Sequence, residues 1–122
     1  MKIKKALFSF KPAWNGLKNG LKTENNIKVH LFAATIIIVA GFLLNVSKGD
    51  WLWLIAAIGI VLTTEYFNTS IEKLTDLVSP DYNELAGRVK DLSAAAVIII
   101  SLTAAIIGVV IFAPYLVNYG SR

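Results

Sequence analysis

The sequence predicts an all-α membrane protein with three transmembrane helices per subunit, preceded by an N-terminal amphipathic surface helix. Three observations carry that expectation. Of the 122 residues, 56% are hydrophobic and 16% charged, whereas a soluble domain carries roughly a quarter charged; the mean hydropathy is +0.63. Apolar stretches at Val29–Val46, Trp51–Thr64 and Leu92–Val117 approach or exceed the length of a membrane span, which takes about 20 residues to cross a ~30 Å hydrocarbon core. Finally, ten of the twelve cations precede the first stretch or lie between the second and third, leaving only Lys48 and Arg122 on the other side. By the positive-inside rule, the N-terminus and the 73–91 region face the cytoplasm, and Asn45–Asp50 and the C-terminus lie outside.

The first element, about residues 3–26, reads as the surface helix. Ile3, Leu7, Phe10, Trp14, Leu17 and Leu21 form one helical stripe and lysines fill the other faces, the pattern of a helix lying among anionic headgroups. Pro12 should kink it or start its second half. No compact apolar core with a small-residue cleavage site follows the first lysines, so the segment does not read as a signal peptide. The spans follow at about 27–46, 51–78 and 80–117, within one domain covering 1–122. The second continues past Thr64 because neither Gly nor Pro interrupts Leu62–Val78. Trp51, Trp53, Tyr115 and Tyr119 mark the external interface as an aromatic belt. Ser79-Pro80-Asp81 reads as the start of the third helix, with Glu84 and Arg88 as an i,i+4 pair.

Composition removes several chemistries. Without Cys there are no disulfides, thiolate nucleophiles or Cys-based metal sites, and a single His excludes multi-histidine sites. No phosphate-binding Gly-rich loop occurs. What stands out is the second helix. At about 100° per residue, Glu65, Asn68, Glu72 and Asp76 share a stripe about 80° wide. Counted from Trp51, Glu65 lies about 21 Å in, about 9 Å short of the far boundary. A carboxylate at that depth is costly and is usually functional or paired. Glu24, Lys90 and Asp91 belong to the same level. Oxygen-rich acids without Cys suit a hard ion such as Mg²⁺, which takes few protein ligands and completes its shell with phosphates. A nearby Lys suits a polyphosphate, and a deeper acid can take a proton from a lipid hydroxyl.

The run ExxNTSIExxxD (Glu65 to Asp76), with AGRVKDLSAAAV (Ala86 to Val97) and WNGLKNGLKTENNIKVH (Trp14 to His30), closely resembles the bacterial diacylglycerol kinase/undecaprenol kinase family over essentially the whole chain. The resemblance implies a homotrimer in the bacterial cytoplasmic membrane, with active sites shared between subunits, phosphorylating a membrane lipid alcohol with ATP and Mg²⁺. It implies that Glu65 is the general base, Glu24 and Glu72 the metal-binding acids, and Asn68 the site asparagine. It also implies that Lys90 and Asp91 contact nucleotide phosphates and that Asp81, Tyr82 and Asn83 approach the nucleotide. Lys5 stands where the family often has an arginine near ATP, without that residue's planar fork. His30, within Thr23–His30, and the ending GVVIFAP (Gly108 to Pro114) resemble the undecaprenol kinase branch, whereas Asn83–Arg88 resembles the diacylglycerol kinases. Undecaprenol is slightly favoured.

His30 alone reads as an interfacial side chain or branch marker, and Asp76 either as a site acid or as a helix-end solvating group. A proton or cation transporter relaying through Glu65 is the distant alternative. It needs polar groups across the whole bilayer, yet the outer half of the three spans holds only Thr35, Ser101 and Thr103.

Overall fold

The computed structural model describes residues 2–120, without the side chain of Tyr119. Arg122 and the Tyr119 side chain, counted above among the external groups, lie outside the described residues. Four helices follow one another: α1 (Lys2–Thr23), α2 (Asn25–Leu43), α3 (Lys48–Val78) and α4 (Glu84–Gly120). α2, α3 and α4 are each long and apolar enough to cross a membrane.

α1 runs as one helix through Pro12, so the proline does not begin a second segment. Ile3, Leu7, Phe10 and Trp14 are all exposed, leaving the apolar stripe free for a lipid surface. The surface helix ends at Thr23, three residues earlier than its periodicity suggests, because Glu24 is extended (φ −103°, ψ 111°) and becomes the N-cap of α2. A capping side chain commonly binds the first free N–H groups of its helix. Glu24 makes no such bond, and its carboxylate is left for other work.

At the opposite end of α2, Asn45 takes a left-handed conformation (φ 51°), which asparagine tolerates better than most residues. Ser47 then caps α3 by accepting from Asp50 N–H at 3.1 Å. Tyr115 of α4 clasps this hairpin: its hydroxyl donates to Asp50 Oδ2 at 2.8 Å and accepts from Ser47 N–H at 3.0 Å. Val46, Leu54 and Ile111 form a dry core beside the clasp. Trp51 packs on Phe42 with ring centroids 4.9 Å apart and lies over Gly41, where an added Cβ would sit 2.6 Å from its ring. Trp51 and Tyr115 therefore act as packing and tethering groups, while Trp53 stays exposed.

The start of α4 differs from the sequence expectation. Ser79 ends α3, its N–H bonded to Thr75 O at 2.8 Å and its hydroxyl to Asp81 O at 3.2 Å. Asn83 Oδ1 instead accepts from Leu85 and Ala86 N–H at 2.9 and 3.1 Å, so α4 starts at Glu84 rather than Pro80. Ser79 cannot cap α4 while it closes α3. The Glu84–Arg88 pair forms at 3.4 Å. α4 leaves Leu92, Ile99, Leu102, Ile106 and Val109 exposed, a surface that requires lipid or other helices.

Two expectations follow, both measured by thermal unfolding in detergent. Gly41→Ala drives a methyl into Trp51 and lowers stability by about 1–3 kcal/mol, whereas Gly59→Ala, with open space at that position, does not. Asn83→Ala removes the α4 cap and costs about 1 kcal/mol.

Candidate functional site

α3 supplies the backbone of the site. Its residues at roughly one-turn intervals point into the bundle between α2 and α4, and two polar side chains are buried among them: Glu65 at 1% and Asn68 at 5% exposure. Asn68 is held at both ends. Ser93 of α4, also buried, donates its hydroxyl to Asn68 Oδ1 at 2.7 Å, and the Asn68 amide donates to Glu72 Oε1 at 3.3 Å. Most helix hydroxyls in this chain return to their own helix, as Thr64, Ser70 and Thr75 do to the carbonyls of Ile60, Tyr66 and Ile71. Ser93 crosses to α3 instead, and so fixes which end of the Asn68 amide faces Glu72.

Glu65 is the deepest acid. Its Oε2 lies 3.6 Å from His30 Nε2 of α2, and its Oε1 is buried without a hydrogen-bond partner. A burial this complete without a full set of partners is costly, and it leaves one carboxylate oxygen open to an incoming donor. His30, which faces Glu65, also lines, with Ala34, Val61, Ser101, Ala105 and Gly108, a mostly apolar cavity of about 290 Å³ between α2, α3 and α4.

The remaining charged groups pair further along. Glu24 Oε1 lies 3.2 Å from Lys73 Nζ, and Lys90 Nζ donates to Asp76 Oδ1. Asp76 therefore has a definite partner on α4. The α1–α2 joint is brought to α3 by Tyr66, whose hydroxyl donates to Leu17 O at 2.7 Å and whose ring covers Gly20 so closely that a Cβ there would lie 2.5 Å from it. This contact sets the position of Glu24. Asp91 is exposed beside Lys90, and Asp81, Tyr82 and Asn83 form the exposed α3–α4 loop; Asn83 is committed to capping. Lys5 lies exposed on α1, and none of the ion pairs among the described residues includes it.

The chain matches the family model described as prokaryotic diacylglycerol kinase over residues 11–112. The chain belongs to the prokaryotic diacylglycerol kinase family. Among characterised relatives, it is 35% identical over 108 residues to the undecaprenol kinase of Bacillus subtilis (strain 168), covering 88% of each chain. It is 33% identical over 113 residues to the diacylglycerol kinase of Synechocystis, covering 92% of this chain and 65% of that one. With the diacylglycerol kinase of Escherichia coli K12 the identity is 31% over 94 residues, 77% of each chain. This prokaryotic diacylglycerol kinase family member is a lipid kinase and a membrane protein, and its activity implies a nucleotide phosphate donor.

Within the kinase, the structure bonds Asn68 to Glu72, sets Glu65 against His30 and ties Asp76 to Lys90. No side-chain hydrogen bond or ion pair among the described residues brings Lys5 or Asp81 to them. Among the described residues, no three His, Asp or Glu side chains converge as a ready-made metal cluster. The chemistry of Glu24 and Glu72, hard carboxylate oxygens and few in number, nonetheless fits Mg²⁺, which takes few protein ligands; in this structure they face Lys73 and Asn68. Four participants escaped the sequence reading or were given a lesser part: Ser93, Tyr66, Lys73 and His30. Ser93 and Tyr66 carried no periodic signal, since each acts across a helix–helix contact.

Ser93→Ala leaves the buried Asn68 carbonyl oxygen unpaired. It should lower stability by about 1–3 kcal/mol in detergent unfolding and reduce lipid phosphorylation more than Ser70→Ala, whose hydroxyl bonds only its own helix.

Proposed function

We propose that this lipid kinase transfers the γ-phosphoryl group of ATP to the hydroxyl of undecaprenol in a Mg²⁺-dependent reaction at the cytoplasmic face of the bacterial cytoplasmic membrane. The observation that carries the reading is Glu65: a buried carboxylate with one unpartnered oxygen, beside an apolar cavity that reaches into the membrane-spanning part of the bundle. A lipid alcohol entering sideways keeps its chain in apolar surroundings and presents its hydroxyl to that oxygen. Glu65 takes the hydroxyl proton as the lipid oxygen bonds to the γ-phosphorus and the bond to the β–γ bridging oxygen breaks.

Asn68, oriented by Ser93, holds Glu72 in place. Glu24 and Glu72 would hold Mg²⁺, which supplies charge neutralisation for the β- and γ-phosphates. Lys90 offers a cation for the charge that develops on the phosphates, exchanging Asp76 for a phosphate oxygen when nucleotide binds. Asp91 lies next to it in sequence. The exposed Asp81-Tyr82-Asn83 loop and Lys5 are the groups left for the rest of the nucleotide. The exposed apolar face of α4 supports assembly into a homotrimer with sites shared between subunits, all within one domain. The lopsided cation distribution supports a cytoplasmic N-terminus and an external C-terminus.

The undecaprenol reading is supported by His30 and by the similarity to the Bacillus undecaprenol kinase, 35% identical over 88% of each chain. Diacylglycerol, giving phosphatidic acid, is the second reading, supported by the names of the other relatives and by Asn83–Arg88. Transport through Glu65 finds little support. Of the three polar groups in the outer half of the spans, Thr35 and Thr103 bond to their own helix carbonyls.

The test is ATP-dependent phosphorylation in mixed micelles with undecaprenol and diacylglycerol offered separately. The expected result is Mg²⁺-dependent transfer, faster to undecaprenol, with Glu65→Gln lowering the rate at least about 10²-fold. Faster transfer to diacylglycerol reverses the substrate assignment, and full activity in Glu65→Gln removes the base assignment.

A further inference from the structure

From the pairing of Glu65 with His30 we infer that His30 takes the proton from Glu65 after each turnover and passes it to water. The inference rests on the reading of Glu65 as the base. If Glu65 accepts the hydroxyl proton, it ends each cycle protonated and must be reset. The Glu65 side chain is only 2% exposed, so bulk water does not reach it directly. One of its oxygens is unpartnered, as a group awaiting the lipid hydroxyl should be; the other faces His30.

The cations do not serve this need. Among the described residues, Lys73, Lys90 and Arg88 are paired with Glu24, Asp76 and Glu84, and α4 contributes Ser93, whose hydroxyl is committed to Asn68. Among the described residues, His30 alone is in ion-pair range of Glu65. Its side chain is 22% exposed, so it spans from the buried carboxyl to the edge of the bundle. The 3.6 Å separation exceeds a direct hydrogen bond. One side-chain rotation or one bridging water closes it, and such contacts commonly tighten only with substrate bound.

Imidazole suits the task because it accepts a proton on one ring nitrogen and releases one from the other. The steps balance. The lipid hydroxyl proton moves to the Glu65 carboxylate as the oxygen–phosphorus bond forms. It passes from the Glu65 carboxyl to His30 Nε2, and the imidazolium gives the Nδ1 proton to water, which restores the Glu65 carboxylate and leaves a neutral imidazole with its proton on Nε2. Exchange of that proton with water returns the Nδ1–H tautomer, ready for the next turnover.

The experiment uses the full chain in mixed micelles with Mg-ATP and whichever of undecaprenol and diacylglycerol the parent protein phosphorylates. His30→Ala and His30→Gln are compared with Glu65→Gln, with and without added free imidazole. Thermal unfolding is followed for each variant. The expected result is a kcat about 10²-fold lower in both His30 variants, with KM for ATP and for lipid held at parent values. Free imidazole should restore His30→Ala in a saturable manner and leave Glu65→Gln inactive. His30→Gln keeps the polar volume without carrying a proton, so a folded but slow His30→Gln separates proton transfer from packing. Parent kcat in a folded His30→Gln, or a folded His30→Ala that imidazole does not restore, overturns the inference. An active Glu65→Gln overturns the base reading beneath it, and an inactive Glu65→Gln with a fully active His30→Gln overturns the relay alone.

Discussion

A carboxylate buried inside a lipid-embedded helix bundle is the costliest group this chain carries, and much of the architecture answers to it. Glu65 sits at 1% exposure with no lysine or arginine among the described residues in ion-pair contact. Keeping it there demands that its neighbours be fixed by other means. Ser93 anchors Asn68 one turn away, Tyr66 pins α1 through Leu17 and Gly20, and His30 closes the α2 side. The lysines are spent on acids elsewhere on the molecule. A strong cation beside Glu65 would stabilise its charge and so weaken it as a proton acceptor. The pairing pattern thus fits the base role proposed for Glu65.

The helices were legible in the sequence because apolar periodicity and length are local properties. The stripe Ile3–Leu21 and the three apolar stretches correspond to α1 through α4, and the polar stripe of Glu65, Asn68 and Glu72 follows from helical geometry alone. Element ends were less legible, since a cap depends on which of several polar residues is free to bond. Ser79 and Asn83 are both good caps, and only the three-dimensional course of the loop decides that Ser79 closes α3 while Asn83 opens α4. The break at Glu24 carries no Gly or Pro to announce it.

The site itself was half legible. Residues sharing one helix face could be grouped by arithmetic, but contacts between helices depend on their mutual rotation, which periodicity leaves undetermined. Ser93 is one small residue among alanines, and its partner lies on another helix. Lys73 points to Glu24 rather than to the acids of its own stripe. In the sequence His30 reads as an interfacial side chain or branch marker; only the packing of α2 turns it toward Glu65. The resemblance supplied roles for residues such as Lys5 and Asp81 that the geometry of a single chain leaves apart.

The clasp of Tyr115 on Asp50 and Ser47 also makes the molecule mechanically uneven. At that end, a dry core and neutral or short hydrogen bonds hold three helices together, and dissolved salt has little purchase on them. At the other end, besides the Ser93–Asn68 and Tyr66–Leu17 hydrogen bonds, the ties include ion pairs whose lysines are 40% and 67% exposed, weak and readily screened. Heat or ionic strength therefore loosens the bundle from the end that carries these ion pairs first, while the hairpin keeps its shape. For an enzyme that must admit a greasy molecule from one phase and a highly charged one from another, stiffness graded along the helix axis puts compliance where traffic occurs.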